Sequence, residues 1–201
     1  ESFYVCDENI DYDQNMNWSS RNVWPLNEML PTFKQSTIDY FNAMNILGYK
    51  MNEYLGLSLN LSLNYFNVDD IFGYEPQPVL RLIHYFPIIS NVDIGRFGAG
   101  QHSDYGIMTF LITDGNQGLQ ILYNDEWMNV LEIENQYENE PVIIVNIGDG
   151  LQRFTNDHYK STKHRVVMRE SIHRYSAAFF WEPNLNAIIK CVETICNDLK
   201  E

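Results

Sequence analysis

Positive charge is scarce in this sequence, where 13 Lys and Arg stand against 27 Asp and Glu and the formal net charge at pH 7 is -14. A chain of this charge repels the phosphates of nucleic acids, so we expect no nucleic-acid partner. Apolar runs are short as well, and none approaches the roughly 18 residues that a membrane-spanning helix requires. The acidic start, ESFYVCDENIDYD, is unlike a signal peptide. These absences predict a cytoplasmic protein without a membrane segment.

Cysteine is also scarce, because the chain has only Cys6, Cys191 and Cys196. The odd number and the lack of a CxxC spacing indicate neither a disulfide framework nor a zinc site, and they favour a reducing compartment. The spacing of Cys191 and Cys196 does not match one face of a helix. We therefore assign these two cysteines no chemistry.

The chain has 201 residues and 45% hydrophobic content, which allow one sizeable core and a single domain by default. Residues 1–30 show no sustained period and are predicted to be irregular. Apolar residues from Phe33 to Leu55 recur at helical spacing between Pro31 and Gly56, which predicts a helix. The following LSLNLSLN stretch alternates like a strand, but its position between a helix and a turn leaves its state open.

The second half of the chain has a different character. Short segments rich in β-branched and aromatic residues are separated by Gly, Asn and Asp turns, and no helical pattern lies between them. This spacing favours a jelly roll or barrel over βαβ units. We therefore predict a mainly β fold with preceding helices, and an acidic surface loop at 134–140. The predicted parts are a lead-in at 1–75, a core at 76–190 and a C-terminal remnant at 191–201.

A candidate metal site begins with His102 and Asp104, which flank Ser103 in GQHSDYG. Residues two apart in an extended segment point to the same face. An HxD motif alone is weak, because a surface His beside an Asp is the commoner explanation. His164 in STKHRVV adds a second imidazole. Two imidazoles and one carboxylate form a facial triad, which leaves positions open on iron(II) for a co-substrate and oxygen.

A second pair, Arg174 and Ser176, lies two residues apart in HRYSAAFF, shortly after His164. A guanidinium binds a carboxylate through two parallel hydrogen bonds, and a serine hydroxyl can add a third. The pair therefore suits a dicarboxylate bound near the metal. An RxS pair alone is commonplace and usually means a surface Arg, so the prediction depends on the ordered set of HxD, His and RxS.

In the order of these motifs, the chain resembles the isopenicillin N synthase-like superfamily of iron(II) and 2-oxoglutarate-dependent dioxygenases. The resemblance runs from WPLNEMLPTF through FFWEPN and includes VLRLIHYFP, GLQILYNDEWMNV and VNIGDGLQRFTNDHYKSTKHRVV. It implies a double-stranded β-helix of jelly-roll type with the metal in the mouth of the barrel. The residues that it assigns are the metal ligands His102, Asp104 and His164, the co-substrate contacts Arg174, Ser176 and Tyr85, and a substrate-facing aromatic at Phe180 or Trp181. Tyr105 is our candidate for lining the mouth of the site.

The resemblance also implies an activity, namely hydroxylation of a small organic molecule with release of succinate and carbon dioxide. The expected cofactors are iron(II), 2-oxoglutarate and oxygen, with ascorbate as an optional accessory, and a monomer is the default. One alternative is an oxidase of the same superfamily that does not use 2-oxoglutarate, since such relatives retain the RxS pair. Another is a non-catalytic jelly-roll metal-binding protein, although a structural site is more often closed by four protein ligands.

The sequence departs from the family pattern in several places. Many plant members have Asn where this chain has Ile83, so one polar contact near the co-substrate is missing, and whether His84 compensates is left open. Nothing resembles the IPxIDL start of the family, so we expect a fragment that lacks an N-terminal portion and a C-terminal tail. Asp149 and Gln152 are expected to support a turn rather than bind metal. His158 and His173 are expected to face solvent.

Overall fold

The computed structural model describes residues 1–8, 22–68, 70–73, 76–130 and 142–197. The predicted acidic loop at 134–140 lies outside the described residues. In the part of the chain that the structure describes, no helix combines the length and hydrophobicity needed to cross a bilayer. The elements in chain order are β1 (Ser2–Cys6), α1 (Phe33–Ser58), β2 (Val79–Tyr85), β3 (Ala99–His102), β4 (Met108–Thr113), β5 (Leu119–Tyr123), β6 (Glu126–Asn129), β7 (Ile144–Ile147), α2 (Asp149–Phe154), β8 (His164–Val166), β9 (Arg174–Trp181) and α3 (Glu193–Asn197).

The strands form two sheets, one in the order β1-β2-β9-β4-β7 and the other in the order β3-β8-β5-β6. Pairing is antiparallel between β4 and β7, β5 and β6, β5 and β8, and β3 and β8. Most neighbours in each sheet are distant in the sequence, as in a jelly roll, where the chain crosses repeatedly between two sheets. The architecture is therefore mainly β and antiparallel, as predicted.

The chain divides into two compact units. One unit comprises Glu1–Phe3, Arg81–Ala178 and Lys190–Glu201, and the other comprises Tyr4–Leu80 and Phe179–Ile189. In the first unit, Leu119, Val166 and Met168 form a buried cluster against which Leu111 and Ile144 pack. Because Leu119 and Val166 belong to one sheet and Leu111 and Ile144 to the other, the core of this unit lies between the sheets.

The second unit is built around Trp181, whose side chain is 0% exposed. Its indole N–H donates to the Asn52 side-chain oxygen at 3.0 Å, and its ring stacks on Phe72 with centroids 4.9 Å apart. Gly48 of α1 lies so close that a Cβ there would be 2.5 Å from the indole ring. This placement corrects the suggestion that Trp181 faces a substrate, because its indole is packed within the core.

The structure confirms one further expectation for the N-terminal half, settles a second that was left open and shows that a third is partly wrong. The helix predicted from Phe33 is confirmed as α1. The LSLNLSLN stretch forms no strand, because the chain turns there with Asn60 in a left-handed conformation at φ 55°. Residues 1–30 were expected to be irregular, which is wrong for Ser2–Cys6, since this segment forms β1 at the edge of the five-stranded sheet.

Cys191 and Cys196, to which the sequence assigned no chemistry, lie close together near the C-terminal end of the described residues. Their Cα atoms are 6.3 Å apart, within the range that a disulfide spans. The helical-face argument fails because Cys191 precedes α3 while only Cys196 lies in it. Cys6 is a free cysteine.

Tyr40 of α1 provides a test of the second unit. Burial raises the pKa of its hydroxyl to about 12, and among the described residues this hydroxyl has no hydrogen-bond partner. We expect Tyr40→Phe to raise the free energy of unfolding by about 1 kcal/mol, because it removes a buried, unpaired polar group. Urea denaturation measures this change, with Tyr54→Phe as the control because Tyr54 is an exposed tyrosine of the same helix.

The raised pKa of Tyr40 adds a pH dependence to the same experiment. The unfolded tyrosine loses its proton near its ordinary pKa of 10.0, whereas the folded one holds it until about 12. Deprotonation therefore favours unfolding, and stability falls as the pH rises through this window. Tyr40→Phe should lose less stability than the wild type between about pH 9 and about pH 11. An equal loss in both proteins would contradict the burial of this hydroxyl.

Candidate metal centre

The three predicted ligands converge in the first unit. His102 ends β3 and His164 begins β8, and they are partners in the antiparallel register of these strands, with ring centroids 4.2 Å apart. Asp104 follows just beyond β3. Its Oδ1 lies 3.6 Å from His164 Nε2 and 4.0 Å from His102 Nε2. One ligand atom from each residue lies within 4.8 Å of the others, which is a spacing that one metal ion can bridge.

Backbone carbonyls orient both imidazoles. His102 Nδ1 lies 2.8 Å from the Gly100 oxygen, and His164 Nδ1 lies 3.1 Å from the Thr162 oxygen. A carbonyl oxygen can only accept, so Nδ1 is the donor in each ring and the Nε2 lone pair is left for a metal. The His102 side chain is 47% exposed, whereas that of His164 is 15% exposed. The centre is therefore open to solvent on the side of His102.

The Asp104 carboxylate is buried, and it accepts two hydrogen bonds at the same oxygen. Thr109 Oγ1 donates to Oδ2 at 2.7 Å, and Asn146 Nδ2 donates to Oδ2 at 2.8 Å. The other oxygen, Oδ1, is the one nearest to both imidazole nitrogens. Sequence reasoning missed Thr109 and Asn146. The available signal was a single polar residue in each of two apolar runs, IMTFLI and IIVNI.

The loop that carries Asp104 is held by the start of α2. The Asp149 N–H donates to the Asp104 carbonyl oxygen at 2.8 Å, and Asp149 Oδ2 accepts a hydrogen bond from Ser103 at 3.1 Å. A Cβ at Gly148 would overlap the Gly106 carbonyl oxygen, so only glycine permits this close approach. Asp149 therefore supports the turn, as expected. Gln152 bonds to Asp157 and Ser161 instead, outside the ligand set.

The predicted anion pair lies on one face of β9. Arg174 is 1% exposed, its Nε donates to the Asn116 carbonyl oxygen at 3.0 Å, and its guanidinium carbon is 5.1 Å from the centre of the Tyr85 ring. Among the described residues, no carboxylate forms an ion pair with Arg174, and the buried Ser176 hydroxyl has no hydrogen-bond partner. Burying an unpaired cation and an unpaired hydroxyl is costly unless a ligand satisfies them. A bound carboxylate would satisfy both.

These residues fit the groups that the sequence implies. Two imidazoles and one carboxylate with open positions are the ligand set of non-haem iron(II) oxygenases. The buried guanidinium of Arg174 and the Ser176 hydroxyl, on the same face of β9, suit one end of a dicarboxylate such as 2-oxoglutarate. The assignment of Tyr85 as a further co-substrate contact stays a prediction, and its position beside the guanidinium supports it.

The substrate contacts also stay predictions. Tyr105 is 89% exposed directly after Asp104, which suits a residue at the mouth of the site. Strand alternation places Phe180 on the same face of β9 as Arg174 and Ser176. With Trp181 in the core, Phe180 is the remaining candidate before the EP dipeptide.

His84 does not compensate for the missing Asn at Ile83. Alternation along β2 places Ile83 and Tyr85 on one face and His84 on the other. His84 bonds to His173 at 2.7 Å and stacks on the half-exposed Tyr175 with centroids 4.6 Å apart. His173 is exposed, as expected. His158 is exposed as well.

The comparisons with known proteins agree with this geometry. Residues 60–183 match the family model of the 2OG-Fe(II) oxygenase superfamily. The chain is 31% identical over 190 residues to the 2-oxoglutarate-dependent dioxygenase traH of Penicillium crustosum, which covers 93% of this chain and 55% of the relative. A full-length Neurospora crassa protein in complex with alpha-KG and thymine has a TM-score of 0.77 and 28% identity, over 96% of this chain and 59% of that one. JOX2 in complex with 2OG, Fe and JA has a TM-score of 0.75 and 26% identity, over 96% of this chain and 53% of that one.

The chain thus spans about half the length of the curated relatives that it matches. The matched family region contains the three metal ligands and the RxS pair. The solved neighbours confirm the jelly-roll fold class that the strand pattern predicted. On fold, site and sequence together, the chain belongs to the 2OG-Fe(II) oxygenase superfamily.

Proposed function

We propose that the protein is an iron(II)- and 2-oxoglutarate-dependent oxygenase that hydroxylates a small organic molecule. The observation that carries the proposal is the buried guanidinium of Arg174, which has no ion-pair partner among the described residues, together with the buried Ser176 hydroxyl on the same face of β9, in the same unit as the triad. A metal site alone would be equally compatible with a binding protein. A second site that suits a carboxylate, with no counterion among the residues that the structure describes, supports a 2-oxoglutarate co-substrate.

In this proposal each group has a defined task. His102, Asp104 and His164 hold the metal through Nε2, Oδ1 and Nε2, and Arg174 with Ser176 holds the distal carboxylate of 2-oxoglutarate. When bound, iron, 2-oxoglutarate and oxygen would supply the oxidation, in which 2-oxoglutarate loses its C1 carboxyl group as carbon dioxide, one oxygen atom enters succinate and the other becomes the hydroxyl group of the product. The protein contributes ligation and orientation, and the buried anion site excludes water from one end of the co-substrate.

The relatives support a small molecule as the substrate class. The Neurospora crassa protein was crystallised with thymine and JOX2 with JA, both of which are small organic molecules. The net charge of -14 disfavours a polyanionic substrate. We propose that the exposed Tyr105, which directly follows Asp104 in the same unit, contacts the substrate.

The test is a two-stage assay of the protein. The first stage measures, without oxygen, the binding of Mn(II) and then of 2-oxoglutarate, with Mn(II) as an oxygen-stable substitute for iron(II). The second stage screens a panel of small molecules, with iron(II) and oxygen, for stimulation of succinate release. We expect metal-dependent 2-oxoglutarate binding and a substrate that stimulates succinate formation. Metal binding without 2-oxoglutarate binding would overturn the proposal and favour the oxidase or the metal-binding protein.

A further inference from the structure

We infer that Thr109 and Asn146 are positioning residues that determine which oxygen of Asp104 binds the metal. The inference rests on the iron site proposed above. Both side chains donate to Oδ2 of Asp104, Thr109 at 2.7 Å and Asn146 at 2.8 Å. Neither residue is one of the three ligands, so any effect on the metal passes through Asp104.

The strand register explains how two residues distant in sequence reach one oxygen. Thr109 of β4 and Asn146 of β7 are direct partners in the antiparallel pairing of these strands. Directly opposite residues project from the same face of a sheet, with their Cβ atoms about 5 Å apart. The pair therefore presents a hydroxyl and an amide side by side. Because both strands belong to the sheet, the position of these donors is fixed by its backbone hydrogen bonds.

The consequence for Asp104 follows from the number of lone pairs. Each carboxylate oxygen has two acceptor sites, and at Oδ2 two donors are already present. The oxygen left for a metal is Oδ1, which lies 3.6 Å from His164 Nε2 and 4.0 Å from His102 Nε2. Binding through one oxygen keeps free the coordination position that the second oxygen would take in a bidentate carboxylate. The open positions of the triad thus depend on the two donors.

Burial makes the arrangement rigid. Asp104 is 7% exposed and Thr109 is 5% exposed, so water has little access to these hydrogen bonds. In such surroundings a hydrogen bond to a charged carboxylate is stronger than in water, and loss of one partner is not repaired by solvent. Rotation of the carboxylate away from the metal would leave both donors unpaired.

The ordinary alternative is that Thr109 and Asn146 only satisfy a buried carboxylate and stabilise the fold. The two readings differ in their effect on metal affinity. Partners of metal ligands typically contribute a factor of about 10 to 100 in metal affinity. A purely structural residue changes the melting temperature and leaves the affinity of the folded protein unchanged.

The experiment uses Mn(II) titration and Mn(II) electron paramagnetic resonance of the protein and its variants. Thr109→Val keeps the shape of the side chain but removes the donor, Thr109→Ser keeps the donor, and Asn146→Leu removes the amide. We expect Thr109→Val and Asn146→Leu each to raise the Mn(II) dissociation constant by about 10- to 100-fold and to change the resonance spectrum. Thr109→Ser should stay within about three-fold of the wild type, which is below that range.

Thr155→Val is the matched control. The Thr155 hydroxyl is fully buried in the same unit as Thr109, but it donates to the Leu151 carbonyl oxygen at 2.9 Å. Its removal therefore tests the loss of a buried hydroxyl away from Asp104. It should lower the melting temperature without changing the Mn(II) affinity. If Thr109→Val binds Mn(II) as the wild type does, or loses only what Thr155→Val loses, the positioning role is overturned while the iron site stands. A wild type that binds no Mn(II) would overturn both.

Discussion

His102→Ala, Asp104→Ala and His164→Ala are each expected to weaken metal binding by at least about 100-fold, which is the upper end of what loss of an outer partner costs. The reason is that an open site with three protein ligands has no spare ligand to replace the one removed. Among the described residues, the only cluster of three or more His, Cys, Asp or Glu side chains that could hold a metal is this one. Isothermal titration with Mn(II) measures the loss.

His158→Ala is the control for this series, because His158 is exposed and lies outside the triad. It should bind Mn(II) with the affinity of the wild type. Circular dichroism of each variant checks that the fold is retained. Unchanged affinity in one of the three ligand variants would remove that residue from the site and leave the other two as an incomplete set.

The metal ligands could be predicted from the sequence because His and Asp are common metal-binding residues and two of the ligands are close together in the chain. His102 ends β3 and Asp104 lies two residues further on, just beyond the strand, where an extended chain would bring both to one face. They come close to His164 because of the register in which β3 and β8 pair, and this register cannot be read from the sequence. His164 was chosen as the third ligand because a second imidazole completes a facial triad, and the resemblance to a family then supported it through the order of the motifs along the chain.

The donors to Asp104 could not be predicted in the same way. Thr109 and Asn146 meet only because β4 and β7 are neighbours in the sheet, although other strands lie between them in the sequence. A threonine in an apolar strand is ordinary on its own, since threonine fits β-structure well. The register of non-local strand pairs must be known before such a residue gains a role.

Two errors had different origins. Trp181 could have been excluded from the strand pattern, because Arg174 and Ser176 on one face of β9 put Phe180 on that face and Trp181 on the other. The proximity of Cys191 and Cys196 could not be predicted, because it depends on how the chain turns before α3. The first error came from not applying alternation along the whole strand, and the second from assuming that both cysteines lie in one helix.

The co-substrate anchor leads to the sharpest test of the proposed function. Arg174→Ala removes the guanidinium that would pair with the distal carboxylate of 2-oxoglutarate in a buried site. Loss of one partner of a buried charge pair typically costs about 2–5 kcal/mol. At about 1.4 kcal/mol per factor of ten, the dissociation constant of 2-oxoglutarate should rise roughly thirty-fold or more. Calorimetric titration of 2-oxoglutarate into the Mn(II)-loaded protein measures this constant directly.

Three further measurements separate a specific anchor from a general defect. Mn(II) affinity should be nearly unchanged in Arg174→Ala, because Arg174 is not one of the three ligands. Arg174→Lys should recover only part of the loss, since an ammonium keeps the charge but lacks the planar fork. Arg153→Ala, at an exposed arginine of α2, controls for the loss of one positive charge in an acidic protein and should bind 2-oxoglutarate normally.

Thermal melting adds a readout that does not depend on turnover. A ligand that binds only the folded state stabilises it by about 2.7 kcal/mol at a concentration 100 times its dissociation constant. At that concentration of 2-oxoglutarate, set by the wild-type constant, a thirty-fold weaker Arg174→Ala should keep less than about a third of the stabilisation. The wild type and Arg153→Ala should show the full stabilisation by 2-oxoglutarate. If Arg174→Ala is stabilised by 2-oxoglutarate as strongly as the wild type, the distal carboxylate binds elsewhere, and the buried guanidinium beside Tyr85 has a purely structural role.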